Sequence, residues 1–405
     1  MLSRKKTWTA GDQKRKYNGE EMELKEKHCW AEIDIDAIKS NYELIKYTLD
    51  RPFYTVVKAD AYGHGAKYLA KVYSEMDTFG FCVSSFSEAM ELRNAGITKP
   101  VLILGYTEPN KAYELFKNNL TQTVFSLEYA KALNDQALYP IECHIKLDTG
   151  MGRLGFDLIS DKEKAYSDIR GLLNFHNLKF TGMFSHFPAA DSLDEKSLVM
   201  TQKQTELFSD TARLMESWGF NLKHLHGQNS AGIARKLNGS FNTMRAGIIL
   251  YGINPSEAVI FPQLKPAMSL KTVVTHIKTV KAGQTVSYGL NWTATQDTKV
   301  ATLAAGYADG VNRILSFTGH RVKIGDRYYP VIGNICMDQM MIDVTDSDVK
   351  IGDEVTVWGG SGENSIDKVA AKIYTIPYEI MCSVSKRVPR VYREKDKTVH
   401  IEYNI

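Results

Sequence analysis

Short apolar runs alternate with amphipathic stretches along the first two-thirds of the chain. Runs such as PFYTVVKA and PVLILG read as buried strands, and the stretches after them, such as HGAKYLAKVYSEM and NKAYELFKNN, carry apolar residues at helical spacing. We count about eight such pairs, which is the pattern of a (β/α)8 barrel of roughly 250 residues. A doubly wound open sheet is the alternative fold, but no G-x-G-x-x-G motif follows an early strand.

The pattern changes after about Pro266. Runs such as MSLKTVVTHIKTVKAG and HRVKIGDRYYPVIG are rich in β-branched residues and are interrupted by glycine and aspartate, which predicts a mostly antiparallel β domain. The predicted fold class is therefore α/β, with an N-terminal barrel over residues 29–265 and a C-terminal β domain over residues 266–405. The early run at residues 30–36 precedes the barrel pattern, so it could also join the β domain.

Composition excludes several classes of protein. The chain has 405 residues, 43% hydrophobic and 24% charged, and its net charge of +3 favours neither a nucleic acid nor an anionic membrane as partner. No apolar run approaches the ~20 residues of a membrane helix. Five scattered cysteines lack metal-ligand spacing and are typical of a reducing cytoplasm, so we expect no metal site.

Residues 1–28 are highly polar and are predicted to be a disordered extension, with a docking arm as the alternative.

Residues capable of chemistry recur where the predicted barrel strands end, which is the end that carries active sites in such barrels. Each has an ordinary structural interpretation when taken alone. Together they place a lysine, an arginine, a histidine and backbone amides suited to phosphate on one rim, which suggests pyridoxal phosphate. In chain order, the residues are Lys58 after the first strand, Lys146 and Arg153 at the fifth, His186 at the sixth, Asn229 and Ser230 after the seventh, and Arg245, Gly247 and Ile248 at the eighth.

The chain resembles the bacterial alanine racemases from about Cys29 to its C-terminus. The stretches that carry the resemblance occur in the same order as in that family: WAEIDIDAI, VVKADAYGHG, KLDTGMGRLGF, SHFPAAD, QNSAG, RAGIILYG, VSYG, AAGYADG, VIGNICMDQ, TIPYEI and KRVPRVY. Asp60 stands where many relatives have asparagine, which adds a negative charge near Lys58. The N-terminal extension lies outside the resemblance.

The resemblance implies a role for each matching residue. Lys58 matches the lysine that bonds to the cofactor and acts as base on one face of the substrate, and Tyr288 matches the acid/base on the other face, contributed by the second subunit of a homodimer. Other matches concern cofactor and substrate. Tyr62, Ser230, Gly247, Ile248 and Tyr378 match residues of the cofactor's phosphate site, and Asn229 is a further cofactor-binding candidate. Arg245 matches the partner of the pyridine nitrogen, and His186 a residue packed near the ring. Arg153 and, from the second subunit, Met337 match the substrate-carboxylate positions, Tyr307 matches a tyrosine at the entrance, and Lys146 a lysine that is often carbamylated and would orient Arg153.

The implied function is interconversion of L-alanine and D-alanine, which supplies D-alanine for the peptidoglycan of the cell wall. Two bases on opposite faces of a planar carbon accomplish racemisation directly. A serine or alanine racemase of broader specificity, a barrel-type decarboxylase and a non-catalytic protein that binds pyridoxal phosphate remain as alternatives. Retention of VSYG, with Tyr288, favours the enzyme over the non-catalytic protein.

Overall fold

The computed structural model describes Leu24 and residues 28–404. The predicted disordered extension, residues 1–28, therefore lies outside the described residues except for Leu24 and His28. The first strand, β1 (Cys29–Asp34), belongs to the sheet of the C-terminal half, where it pairs antiparallel with residues 268–272 and parallel with residues 390–393. Asp34 then caps the first helix by accepting a hydrogen bond from the Ala37 amide at 2.8 Å.

Parallel strands form the sheet of the N-terminal half. Those among the described residues are β2 (Phe53–Val56), β3 (Gly80–Val83), β4 (Val101–Ile103), β5 (Leu120–Val124), β6 (Ile141–Asp148), β7 (Phe156–Asp157), β8 (Leu178–Phe184), β9 (His224–His226) and β10 (Met244–Ala246). Their order is β10-β2-β3-β4-β5-β6-β8-β9, with β7 beside β6. Backbone bonds from Asn242 to Leu225 and from Arg245 to Gln228 join β10 to the β9 side, which closes the barrel. The predicted (β/α)8 barrel is confirmed.

Helices alternate with these strands. They are α1 (Ile35–Thr48), α2 (Lys58–Tyr62), α3 (Ala66–Glu75), α4 (Phe86–Asn94), α5 (Ala112–Lys117), α6 (Leu127–Gln136), α7 (Lys162–Gly171), α8 (Glu195–Ser217) and α9 (Ser230–Ala234). Strands β2 to β5 are buried along their whole length, as expected of parallel strands covered by helices, and this explains their continuous apolar runs. Ser85 and Ser126 cap the helices that follow β3 and β5.

The C-terminal half is the predicted antiparallel β structure. Its strands are β11 (Met268–Val280), β12 (Thr285–Val286), β13 (Trp292–Thr293), β14 (Thr298–Leu303), β15 (Arg321–Ile324), β16 (Arg327–Ile332), β17 (Met340–Asp343), β18 (Glu354–Gly359), β19 (Arg390–Glu394) and β20 (Lys397–Glu402), with helices α10 (Ile366–Lys372) and α11 (Pro377–Cys382) before the last two. The long strand β11 pairs with both β14 and β18 on either side of a bulge near Val274, so six strands form a closed ring.

Candidate active site

Lys58 begins an unusual turn at the end of the first barrel strand. Strand β2 ends at Val56, and after Lys58 the next four residues, Ala59 to Tyr62, all have φ between 51° and 54°, so α2 is wound left-handed. Left-handed helical backbone costs roughly 1–2 kcal/mol per non-glycine residue, so surrounding contacts must hold this turn in place. One such contact comes from Glu88, whose carboxylate accepts the Ala59 amide at 2.9 Å.

The electrostatic surroundings of Lys58 favour a neutral amine. Burial lowers the pKa of Lys58, and the positive charges of Arg153 and Arg245 lower it further. The neutral form is the one that can attack a carbonyl carbon or accept a proton. Lys58 therefore lies at the end of a barrel strand and has a lowered pKa, as a nucleophile or base requires.

A small polar cradle lies beside this turn. The Ser230 hydroxyl accepts the Gly247 amide at 2.9 Å, and a Cβ placed on Gly247 would lie 2.7 Å from the Tyr62 hydroxyl, so glycine leaves room there. The Tyr62 ring centroid is 5.8 Å from that of Tyr378 on α11. Gly247 and Ile248 begin a 3-10 helix, and the first amides of a helix have no partner within it. These residues together can bind the oxygens of a phosphate group.

Arg245 on β10 is buried and held rigidly by the barrel. Its Nη1 donates to His226 Nδ1 at 2.7 Å, its Nη2 donates to the Ser185 carbonyl at 2.6 Å, and its guanidinium lies 5.1 Å from the Phe184 ring centroid. Burial lowers the pKa of Arg245 to about 10, which still leaves it charged at neutral pH. The hydrogen bonds of Arg245 among the described residues come from Nη1 and Nη2, which leaves Nε able to donate to a ligand, and the residue as a whole is 4% exposed.

Lys146 lies inside β6, and Arg153 lies on the loop that follows. Lys146 is buried, donates to the Leu147 carbonyl at 2.7 Å and lies 5.6 Å from the Phe184 ring centroid. Burial, followed by the charge of Arg245, lowers the pKa of Lys146 to about 7. The exposed Arg153 is positioned through its backbone, because its amide donates to the Asp148 carboxylate at 3.0 Å.

His186 and Asn229 have different surroundings. Burial and the neighbouring charge of Arg245 hold the pKa of His186 well below its usual value, so its ring is neutral, with Nδ1 3.5 Å from Arg245 Nη2. The Asn229 side chain is already engaged, since it accepts the Gly232 amide at 3.0 Å and donates to the Phe187 carbonyl at 3.1 Å. Asn229 therefore shapes the start of α9, next to Ser230.

Tyr288, Tyr307 and Met337 lie together on the surface of the β domain. They are 74%, 43% and 53% exposed. Their loops are joined, because the Tyr307 amide donates to the Cys336 carbonyl at 3.0 Å and the Asn334 amide group donates to the Tyr288 carbonyl at 2.7 Å. Among the described residues, no hydrogen bond or ring contact joins these three side chains to the barrel site. The structure therefore brings the predicted site residues together in two groups, one at the end of the barrel and one on the surface of the β domain.

Sequence reasoning missed residues that orient the barrel site. Asp148 accepts four amides, those of residues 150–153, and so shapes the loop that carries Arg153. The stretch DTGMG, in which Asp148 is followed by glycine at the second and fourth positions, is a turn signal that could have identified this role. His226 accepts from Arg245, which fixes its proton on Nε2, 2.8 Å from His144 Nδ1. No local pattern distinguishes His226 from a structural histidine.

Neither a metal site nor a membrane-spanning helix is found among the described residues. They contain no group of three or more histidine, cysteine, aspartate or glutamate side chains that could hold a metal ion. Within the same part of the chain, no helix is both long enough and apolar enough to cross a membrane.

Comparisons with known proteins match the chain to one family along almost its whole length. Residues 33–255 match the family model described as alanine racemase, N-terminal domain, and residues 267–392 match alanine racemase, C-terminal domain. The chain is 40% identical over 382 residues to the alanine racemase of Clostridium novyi, covering 92% of this chain and 97% of that relative. It is 39% identical over 373 residues to that of Methanococcus maripaludis, covering 90% and 98%.

Solved structures are similar over almost the same length. The alanine racemase of Clostridium difficile 630 superimposes with a TM-score of 0.86 at 38% identity, covering 93% of this chain and 98% of the other. That of Bacillus anthracis, solved with bound L-Ala-P, superimposes with a TM-score of 0.87 at 33% identity, covering 94% and 99%.

Proposed function

Because the chain belongs to the alanine racemase family and is an enzyme of the isomerase class, we propose that it interconverts L-alanine and D-alanine by a two-base mechanism. The observation that carries the proposal is the convergence, at one end of the barrel, of a lysine of lowered pKa, the polar groups around Ser230 and Gly247, and a buried arginine.

The barrel site fits pyridoxal phosphate. Tyr62, Ser230 and the Ile248 amide would hold the phosphate, with Gly247 supporting Ser230 through its amide and Tyr378 beside them. The free Nε of Arg245 would donate to the pyridine nitrogen, and the neutral His186 ring would pack near the cofactor. Arginine has only donors, so it cannot stabilise a protonated pyridine as a carboxylate would. When bound, this cofactor withdraws electrons from the substrate Cα and acidifies its proton.

Lys58 and Tyr288 would move the proton at that carbon. The lowered pKa of Lys58 increases the share of neutral amine, which would take the Cα proton from one face, and Tyr288 of the partner subunit would give a proton to the opposite face. In the reverse direction the two residues exchange roles. The 74% exposure of Tyr288 in the single chain supports its use by a second subunit, and so a homodimer with shared sites.

The substrate carboxylate would be bound from both subunits. Arg153 supplies a charged donor on a loop fixed by Asp148, while Met337 and Tyr307 of the partner subunit would form the other wall and the entrance. The relatives that the chain matches are alanine racemases, so alanine is the proposed substrate, and a broader alanine and serine racemase is the second candidate.

Racemisation kinetics with alanine and serine test this proposal. The purified protein loaded with pyridoxal phosphate is expected to convert L-alanine to D-alanine and back, with a kcat/KM for L-alanine above that for L-serine. Chiral chromatography of the products measures both reactions. A higher kcat/KM for serine would overturn the substrate assignment, and cofactor binding without any racemisation would favour the non-catalytic alternative.

Lys146 is proposed to carry a carbamate. Its pKa of about 7 leaves much of the amine neutral at pH 8, where it can react with CO2 and release one proton, and the nearby charges of Arg245 and Arg153 would stabilise the resulting anion. Because protonation blocks the reaction, the carbamate should be lost as the pH falls below 7. Nuclear magnetic resonance with carbon-13-labelled bicarbonate should show a carbamate signal at pH 8, absent from Lys146→Ala. A signal that persists in Lys146→Ala, or none in wild type, would contradict this assignment.

The biological role follows from the family and stays a prediction. D-alanine made by this enzyme would supply peptidoglycan synthesis in the cytoplasm, a reducing compartment that agrees with the five free cysteines. Deletion of the gene should make growth depend on added D-alanine, and growth without D-alanine in a strain lacking any second racemase would contradict this role.

A further inference from the structure

The left-handed turn that carries Lys58 is held by residues from the far end of the chain. Gly63 closes the turn, and its carbonyl accepts a hydrogen bond from Arg390 Nε at 2.9 Å. The next carbonyl, that of His64, accepts a hydrogen bond from the Tyr392 hydroxyl at 3.0 Å. Both donors lie on β19, more than 300 residues later in the sequence. The end of the turn is therefore fixed by the β domain.

Arg390 is the centre of this connection. It is 1% exposed, and its remaining nitrogens donate to the carbonyls of Val384, Ser385 and Val388 at 2.6–2.9 Å. Its Nη2 also lies 3.8 Å from the carboxylate of Asp60, the second left-handed residue of the turn. A single guanidinium thus binds the turn and the segment that follows α11. Lysine, with one nitrogen, could not make all of these bonds.

Tyr392 makes the second attachment. Its hydroxyl lies 3.1 Å from the Glu402 carboxylate on β20, and Glu402 pairs with Lys67 on α3 at 2.6 Å. The hairpin of β19 and β20 therefore contacts both the turn and the helix after it. Asp60 adds a contact within the barrel, because its carboxylate accepts the Ala66 amide at 2.8 Å.

The β domain packs closely against both glycines at the end of the turn. A Cβ on Gly63 would lie 2.2 Å from the Met381 carbonyl oxygen, and a Cβ on Gly65 would lie 1.8 Å from the Tyr392 hydroxyl. Both glycines have positive φ, at 80° and 91°. The β domain thus packs against the turn and also donates hydrogen bonds to it. These contacts help to maintain a backbone conformation that the residues themselves disfavour.

We propose that Arg390, together with Tyr392, is a positioning residue for Lys58: by fixing the end of the left-handed turn against the β domain, the two side chains aim the Lys58 amine at the cofactor. Both donate to backbone carbonyls, those of Gly63 and His64. The proposal rests on the proposed function for the role of Lys58, but the state of the turn can be measured without turnover.

Arg390→Lys tests the proposal, because it keeps the positive charge opposite Asp60 and loses most of the carbonyl bonds. Asn364→Ala is the matched control: it removes a buried side chain whose amide donates to the Thr356 carbonyl at 3.0 Å, in the β domain. Hydrogen exchange of the peptide spanning residues 57–66 is measured in the apoprotein. The rate of pyridoxal phosphate incorporation, kcat and KM are then measured in the loaded protein, together with the melting temperature of each variant.

In Arg390→Lys, exchange in residues 57–66 should rise by about 10-fold or more. Cofactor incorporation should slow, and kcat should fall by about 10- to 100-fold with little change in KM, since a misplaced Lys58 impairs the chemical step more than substrate binding. Asn364→Ala should lower the melting temperature without these changes. Normal exchange and normal kcat in Arg390→Lys would overturn the proposal, and so would equal changes in both variants.

A second variant covers the case in which Arg390→Lys does not fold. Tyr392→Phe keeps the ring and loses only the hydroxyl, which bonds to the His64 carbonyl and lies beside the Glu402 carboxylate. It should raise exchange at residues 57–66 and lower kcat in the same way, by a smaller factor. Unchanged exchange in this variant would overturn the proposal. Failure of the proposed function would give a different result. The wild-type protein would then incorporate the cofactor and show slow hydrogen exchange at residues 57–66, but it would not racemise alanine.

Discussion

Lys58→Ala should abolish racemisation, with a fall in kcat on the order of a hundred thousand- to a million-fold. Lys58 is expected to serve twice, as the covalent attachment for the cofactor and as the base on one face of the substrate. Its lowered pKa fits both tasks, since each requires a neutral amine. Loss of one residue with two roles removes more of the rate than loss of a single acid or base.

Two measurements check the Lys58 prediction. Chiral assay of alanine gives the rate, and borohydride reduction followed by peptide mapping identifies the lysine bonded to the cofactor. Lys131→Ala, which removes an exposed lysine paired with Asp135, is the control and should retain full activity. Racemisation by Lys58→Ala within about 100-fold of wild type would exclude Lys58 as an essential base, because a general base alone contributes about 100- to 10,000-fold.

Tyr288→Phe should lower racemisation in both directions by about 100- to 10,000-fold, the usual contribution of a general acid or base. Inversion needs a proton removed on one face and returned on the other, so both directions depend on Tyr288. Lys58 would remain intact in this variant. It should still exchange the Cα hydrogen of the one enantiomer that presents this hydrogen to Lys58.

This asymmetry gives a sharp readout. In deuterated water, Tyr288→Phe should incorporate deuterium at Cα of one enantiomer of alanine without inverting it, as followed by proton nuclear magnetic resonance. Tyr47→Phe, at a position that is 93% exposed on α1, is the matched control and should behave as wild type. Equal exchange into both enantiomers would contradict the assignment of Tyr288 to one face.

Much of the architecture could be predicted from the sequence because it is encoded locally. Apolar runs such as that of β2 and the helical spacing after them gave the barrel, and the positions of Lys58 and Arg245 at strand ends then followed from the fold. Runs rich in β-branched residues predicted the second sheet. Roles for Tyr288, Tyr307 and Met337 came from the resemblance, since their loops carry no pattern that marks a site.

The left-handed turn after Lys58 could not be predicted from local sequence. Its residues Ala59 to Tyr62 individually disfavour positive φ, and the contacts that hold the turn come from Glu88 and, more than 300 residues away, from Arg390 and Tyr392. The same limit applies to β1, whose partners β11 and β19 are both distant in sequence. Where long-range packing overrides local preference, only the assembled fold reveals the conformation.

A hybrid-dimer experiment tests the central claim most directly, namely that each active site combines Lys58 of one subunit with Tyr288 of the other. Lys58→Ala and Tyr288→Phe proteins, each nearly inactive, are mixed in equal amounts, dissociated and allowed to reassociate. About half of the dimers should be hybrids with one intact site, so about a quarter of wild-type activity should return. Activity that stays at the sum of the two parents would contradict the claim, because it would mean that Lys58 and Tyr288 act within the same chain.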